Sequence, residues 1–419
     1  MTPSRRTFLT GAAALVGTGL VGSALTACAP GGGAAAPSSY DPDAKVALDF
    51  WDYYGPGAGA DALTAQLAAF QKAKPNVTIK RRFVQYDALK KSLLQSAGAR
   101  TLPDVVIINS PDHQQFAELG VAQDITKDVD AWGQLSKYPK GAVASATYEG
   151  KLYGLPITAN DLALYCNTQL LEDAGVTPPT TWDELQAAAA KLTAAKRYGL
   201  AYSAINNQQA VFQWLPTLWQ AGGDLTDLAS PAAEQALTFW AKLLQDGSVS
   251  KEALSWDQTQ VEVEFAQKRA AMMINGPWQI PTLAKEAPDL KYTVVPLPRG
   301  KTAATALGGE NLMVVKGQNA AAAWELVKWL QDPSRVETLA KGTGSLPTRS
   351  DVQPFDDSDA IAVFTQQLSI GRARAYGPNY DQIADAVVTA LQSTLSGSTS
   401  AAKALATAKS AVTPLLPAS

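Results

Sequence analysis

The chain has 419 residues, with 35 Lys and Arg against 38 Asp and Glu and a net charge of −3. That balance excludes the basic footprint of a nucleic-acid binder, and one His with two Cys leaves no material for a histidine-based zinc site or a disulfide framework. About 375 residues follow position 44, more than one core usually organises, so two domains are predicted.

The first 28 residues read as an export signal. Ser4-Arg5-Arg6-Thr7-Phe8-Leu9 is a basic start, Leu9 to Leu25 is apolar and small, and Leu25-Thr26-Ala27-Cys28 closes it. Arg5-Arg6 resembles a twin-arginine signal, and Leu25 to Cys28 resembles a lipobox whose Cys28 thiol takes a diacylglycerol. The rival reading, an uncleaved anchor, has an apolar stretch of only about 17 residues, at the short limit for spanning a bilayer. Residues 29–44, rich in Gly, Ala, Pro and Ser, read as a flexible tether with a reach on the order of 20 Å. Beyond it no segment is apolar enough to span a membrane.

The elements then alternate. Val46, Leu48 and Phe50 alternate as in a strand, and Leu63, Leu67 and Phe70 share a helix face. Val77, Ile79, Arg81 and Phe83 form a second strand, and Leu89 and Leu93 a second helix. Val105 to Ile108 is a continuous apolar run, the pattern of a strand buried on both faces. This order predicts an α/β domain with a largely parallel sheet. The middle of the chain is mostly helical, with a capping box at Thr181 and Glu184 after Pro178-Pro179. Strand character returns at Asp289 to Pro298 and at Ala306 to Val315, which implies that the first domain recruits a late strand. Ile383, Val387, Leu391 and Leu395 make one helical stripe, and a last helix covers Ala401 to Val412.

Catalytic signatures fail. Gly17-Thr18-Gly19-Leu20-Val21-Gly22 spells a dinucleotide fingerprint but lies in the export signal without a preceding strand, and Gly300-Lys301-Thr302 lacks the upstream glycine of a phosphate loop. No zincin or nucleophile-elbow motif is present. Paired carboxylates of a glycosidase come from distant positions and have no local signature. Cys166 reads as a small buried apolar side chain.

Taken in order, a set of segments resembles the extracellular solute-binding proteins of ABC importers, in the sugar-binding group that includes maltose-binding protein. They are Phe50-Trp51-Asp52-Tyr53-Tyr54, Leu102-Pro103-Asp104-Val105-Val106, Gly150-Lys151-Leu152-Tyr153-Gly154-Leu155-Pro156 and Pro179-Thr180-Thr181-Trp182-Asp183-Glu184-Leu185. Phe265 to Met272, Asn275-Gly276-Pro277-Trp278, Gly308-Gly309 and Gly344 to Arg349 follow. Cys166-Asn167 departs from the family's usual Tyr-Asn, and Asn109-Ser110 from its acidic or aromatic residue.

The resemblance implies a two-lobed α/β fold of the type II periplasmic-binding-protein kind. The lobes are joined by crossover hinge segments, with the ligand cleft between them. The expected lobes are 45–157 with 290–345, and 158–289 with 346–419, with crossovers near Ile157–Asp161, Ala306–Asn311 and Leu346–Arg349. It also implies the contacts: Trp51, Tyr53 and Tyr54 in the first loop; Asn109, Ser110 and Asp112 after the third strand; Asn160, Gly309, Glu310, Asn311 and Arg349 at the crossovers. Trp278 is the expected stacking platform, with Trp214, Trp219, Trp256 and Tyr376 from the second lobe. Against these stand the plainer readings: helix core for Trp214 and Trp219, and a structural ion pair for Arg349. Aromatic rings stack on the C–H face of a sugar, and polar side chains satisfy its hydroxyls. The implied function is a non-enzymatic carbohydrate receptor, without cofactor or metal, that serves an ABC permease. It would be monomeric and held by lipid on Cys28 at the outer face of the cytoplasmic membrane, in the periplasm where a second membrane exists. A receptor for another solute, such as a polyol phosphate or peptide, and a secreted glycosidase are the alternatives. Arg349 as the one basic candidate, against Glu310 and Asp112, favours a neutral or weakly cationic ligand.

Overall fold

The computed structural model describes residues 39–354 and 358–417. The export motifs, with Arg5, Arg6 and Cys28, lie outside the described residues. Tyr40, inside the expected tether, packs against the first core with the Lys74 ammonium 5.5 Å from its ring, so the folded body starts earlier than residue 45.

The chain opens as expected: β1 (Val46–Asp52), α1 (Ala58–Ala73), β2 (Val77–Phe83), α2 (Tyr86–Ala99) and β3 (Val105–Asn109), with β1 parallel to both β2 and β3. All five residues of β3 are buried, the outcome its unbroken apolar run predicts. Short helices α3 (His113–Glu118), α4 (Thr126–Trp132) and α5 (Lys140–Ser145) lead to a hairpin of β4 (Thr147–Tyr148) and β5 (Lys151–Leu152). Strand β6 (Gly154–Asn160) then re-enters the first sheet.

From β7 (Ala163–Asn167) the chain builds a second body. It contains α6 (Thr168–Ala174), α7 (Trp182–Leu192), β8 (Tyr198–Ala201), α8 (Gln208–Gln220), α9 (Pro231–Gln245), α10 (Gln258–Ala266), β9 (Ala270–Asn275), α11 (Gln279–Glu286) and β10 (Tyr292–Val295). The capping box closes at the start of α7, where Thr181 accepts from the Glu184 backbone and the Glu184 carboxylate accepts from the Thr181 backbone. The four strands run in the order β10-β7-β9-β8.

The late strand β11 (Thr305–Val314) returns to the first sheet and inserts between β3 and β6. Helices α12 (Ala320–Leu330) and α13 (Pro333–Thr343) cover that sheet, and β12 (Leu346–Pro347) pairs with β6 at its edge. The chain then returns to the second body through α14 (Asp359–Gln367), β13 (Gly371–Ala373), α15 (Tyr380–Leu395) and α16 (Ala401–Val412). β13 runs parallel to the start of β11, so the first sheet has seven strands.

Two expected boundaries move. The strand in 289–298 was assigned to the first lobe, but β10 pairs antiparallel with β7, and Val294 is buried in the second core. The chain therefore re-enters the first lobe only near Thr305. The segment from 346 was assigned to the second lobe, yet Leu346 and Pro347 pair with β6 and Val352 packs in the first core. Each lobe has its own apolar core, and the chain passes between them three times.

Candidate functional site

The site grows from β11. It is flanked by β3 and β6 in the same sheet, and Glu310 is in register with Asn109 on one side and Thr158 on the other. The pairing with β6 shifts register between Glu310 and Asn311, an irregularity of the kind that re-aims a side chain. Gly309, just before it, has φ 123°, and a Cβ there would lie 2.2 Å from the Thr158 carbonyl oxygen. Only glycine fits that backbone and that approach.

The bulge holds Glu310 among polar partners at the lobe junction. Its carboxylate accepts a 2.9 Å hydrogen bond from the Tyr53 hydroxyl and another from Thr158 Oγ1. Burial pushes its pKa from the ordinary 4.5 up to about 7, while Tyr53 and Arg374 pull it partway back. Tyr53 meets Tyr54 and Tyr86 edge-on, with ring centroids 5.7 and 5.1 Å away. Asn109 Nδ2 donates to the Tyr86 hydroxyl at 2.9 Å. Tyr53, Tyr86 and Asn109 stand at or just beyond the carboxyl ends of β1, β2 and β3, where ligands of open α/β sheets bind, and Glu310 is in register with Asn109.

The second lobe faces this wall with Phe212, Trp278 and Arg374, and Asn160 of β6 stands at the crossover between them. Trp278, half-buried at the start of α11, lies 6.4 Å from Phe212 at 32°. Its ring passes so close to Gly276 that a Cβ there would sit 1.9 Å from it, which explains the glycine of Asn-Gly-Pro-Trp. The Arg374 guanidinium stands 4.4 Å from the Phe212 centroid, and its buried Nε has no acceptor among the described residues. Asn160, buried at the end of β6, points Oδ1 at Gly308.

The expected residues divide. Tyr53, Tyr54, Asn109, Asp112, Asn160, Trp278, Gly309 and Glu310 converge on this junction. Trp51 does not: it packs in the first lobe, its ring covered by the Arg82 guanidinium at 4.4 Å. Trp214 and Trp256 are buried in the second core. Helix α8 is buried around most of its surface, so its tryptophans follow helical packing. Trp219 is also buried, and its indole donates at 3.2 Å to Tyr376, whose hydroxyl donates at 3.2 Å to Asp224. Ser110 and Asn311 line a largely apolar pocket that Thr158, Gly308 and Gly309 also border, and there Asn311 Nδ2 donates to Ser145 at 3.0 Å.

Arg349 is a correction. It is 5% exposed and forks onto Asp351 at 2.9 and 2.8 Å. It also donates to the Gln331 carbonyl, inside the first lobe. A basic residue that does stand against Phe212 is Arg374, which has no sequence signal of its own, as Phe212 has none. One signal pointed to Tyr86: it opens α2 three residues after β2, as Tyr53 and Asn109 stand at the ends of β1 and β3. Among the described residues no cluster of His, Cys, Asp and Glu suits a metal, and no helix is long and apolar enough to cross a membrane.

Comparison with known proteins agrees with this architecture. The family model of bacterial extracellular solute-binding proteins matches residues 65–365. A putative binding protein of Brucella abortus is 28% identical over 345 residues, covering 78% of this chain and 82% of its own. The diacetylchitobiose-binding protein DasA of Streptomyces coelicolor is 25% identical, covering 73% of this chain and 74% of its own. Among solved structures, a Thermotoga lettingae ABC transporter solute-binding protein bound to α-D-tagatose superposes with a TM-score of 0.82 at 26% identity, covering 88% of this chain and 100% of that one. The GacH receptor of Streptomyces glaucescens, solved with and without acarbose, gives 0.79 at 26% identity, covering 89% and 98%. On its matched sequence and its two-lobed fold, the chain belongs to the bacterial extracellular solute-binding protein family.

Proposed function

We propose that this protein is a carbohydrate receptor that captures a mono- or oligosaccharide between its lobes and delivers it to an ABC importer. The observation that carries the reading is the buried Glu310 carboxylate, held by Tyr53 and Thr158 beside the rings of Tyr54 and Tyr86, with Trp278 set against Phe212 on the second lobe. A carboxylate is an acceptor-only group that suits donated hydroxyls, Arg374 and Asn109 donate, and the rings suit the C–H face of a pyranose. Lobe closure would expel water and strengthen each of these bonds. The relatives bind diacetylchitobiose, acarbose or tagatose, which supports the same class. The protein acts without catalysis, as a monomer, anchored by lipid on Cys28 at the outer face of the cytoplasmic membrane after export through the paired arginines.

The test is calorimetry on the full chain carrying Cys28→Ser, titrated with tagatose, maltose, maltotriose, mannobiose and diacetylchitobiose. Binding of one sugar at micromolar affinity, weakened roughly tenfold or more by Trp278→Ala, supports the reading. A blank panel overturns it. The free Nε of Arg374 then favours a second reading, an anionic solute such as a polyol phosphate.

A further inference from the structure

One group of side chains beside the cleft is not explained by solute contacts. Lys90, on α2 of the first lobe, reaches Asp112 at 3.0 Å in its own lobe and Asp381 at 2.9 Å at the start of α15 in the second. Gln208, at the start of α8 in the second lobe, spans the same two carboxylates in the other direction, donating to Asp381 at 2.8 Å and to Asp112 at 3.3 Å. Two donors and two carboxylates thus form a closed ring of contacts, with one donor and one acceptor from each lobe. A second crossing lies beside it, where the Gly377 N–H donates to Gln114 Oε1 at 3.1 Å.

The placement is systematic. Lys90 stands one helical turn beyond Tyr86 on α2, and Asp112 three residues beyond Asn109. Gln208 stands one turn before Phe212 on α8, and Asp381 next to Tyr380. On α2 and α8 the clasp residue is thus displaced by one turn, roughly 5 Å, from the residue at the junction. The Lys90 and Asp112 side chains are 17% and 10% exposed, so the pair is screened less by salt than a surface pair.

We propose that Lys90, Asp112, Gln208 and Asp381 form a cross-cleft clasp that holds the lobes together along one edge and closes that edge to the ligand. The pairing is charge-assisted, so it favours the closed arrangement by differential contact: Asp381 has Lys90 as a partner only when the lobes meet. The Asp385 carboxylate, one turn along α15, adds to the negative field that Lys90 answers. The clasp is independent of which solute fills the cleft.

The test uses the full chain with Cys28→Ser, spin-labelled at Leu119→Cys and Tyr198→Cys, exposed positions on the two lobes. Pulsed dipolar distances are read without ligand. Lys90→Met and Asp381→Asn are expected to move population from the short to the long distance by about threefold or more. In the parent protein, raising NaCl from low salt to about 1 M does the same, and it does little in the variants. Lys91→Met, exposed on the same helix outside the ring, leaves the distribution unchanged. Identical distributions in parent and variants at every salt overturn the clasp, as does an equal shift in Lys91→Met. These distances are read without sugar, so a failure of the carbohydrate panel leaves this result standing.

Discussion

Glu310 gives the proposed receptor a pH profile of known sign. Burial raises its pKa to about 7, so at pH 5 the carboxyl is almost wholly protonated and at pH 8 mostly ionised. Hydroxyls that donate to the carboxylate need the ionised form. Affinity is therefore expected to be nearly flat above pH 8 and to weaken about two orders of magnitude by pH 5, roughly 3 kcal/mol. Stability of the free protein runs the other way. A raised pKa contributes stability that is complete below the ordinary 4.5 and lost as pH rises through about 7. Glu310→Gln keeps the shape and removes the proton. It is expected to flatten the affinity profile between pH 5 and 8 and to raise the melting temperature at pH 8. Calorimetry on the tightest-binding sugar of the panel, with thermal melts of the ligand-free protein, reads both slopes. A Glu310→Gln protein that keeps the parent's pH dependence in both would refute the reasoning.

Three further outcomes follow from particular geometries. Gly309→Ala places a methyl 2.2 Å from the Thr158 carbonyl at a backbone angle that L residues rarely adopt, so denaturant melts should show a loss of roughly 2–4 kcal/mol. Arg349→Ala removes a buried cation from Asp351 and the Gln331 carbonyl, well away from the cleft. It should cost roughly 2–4 kcal/mol of stability while sugar affinity per folded molecule stays within about twofold. Cys166 is buried, and burial pushes its thiol pKa up to about 12, so in a Cys28→Ser chain a thiol reagent should react only in step with unfolding.

The fold was largely legible because its signals are local. Period-two alternation in β1 and β2, the unbroken run in β3 and the Thr181–Glu184 box each depend on neighbours a few residues away. The return of strand pattern at 306–315 also announced β11. The same kind of pattern at 289–298 was read correctly as a strand and assigned to the wrong sheet, because pairing partners are a tertiary choice. The residues of the junction were legible at strand ends, in Tyr53 and Asn109, and at the crossover strand, in Glu310. They were not legible where they depend on which face of a helix meets the junction: Phe212 touches Trp278 and Arg374 at the edge of the second core, while Trp214, two residues on, is fully inside it. Arg349 and Arg374 are alike in sequence, and only the position of Asp351 separates the tied cation from the one at the junction.

The insertion of β11 between β3 and β6 has a consequence for how the chain is made. During synthesis the first sheet lacks a central strand until some three hundred residues have emerged, and both flanking edges stay unpaired meanwhile. The nascent first lobe is then a sticky, slow-closing intermediate rather than a finished domain. A fragment cut before β11 should not become soluble alone, and should recover its shape only when the missing C-terminal piece is supplied in trans.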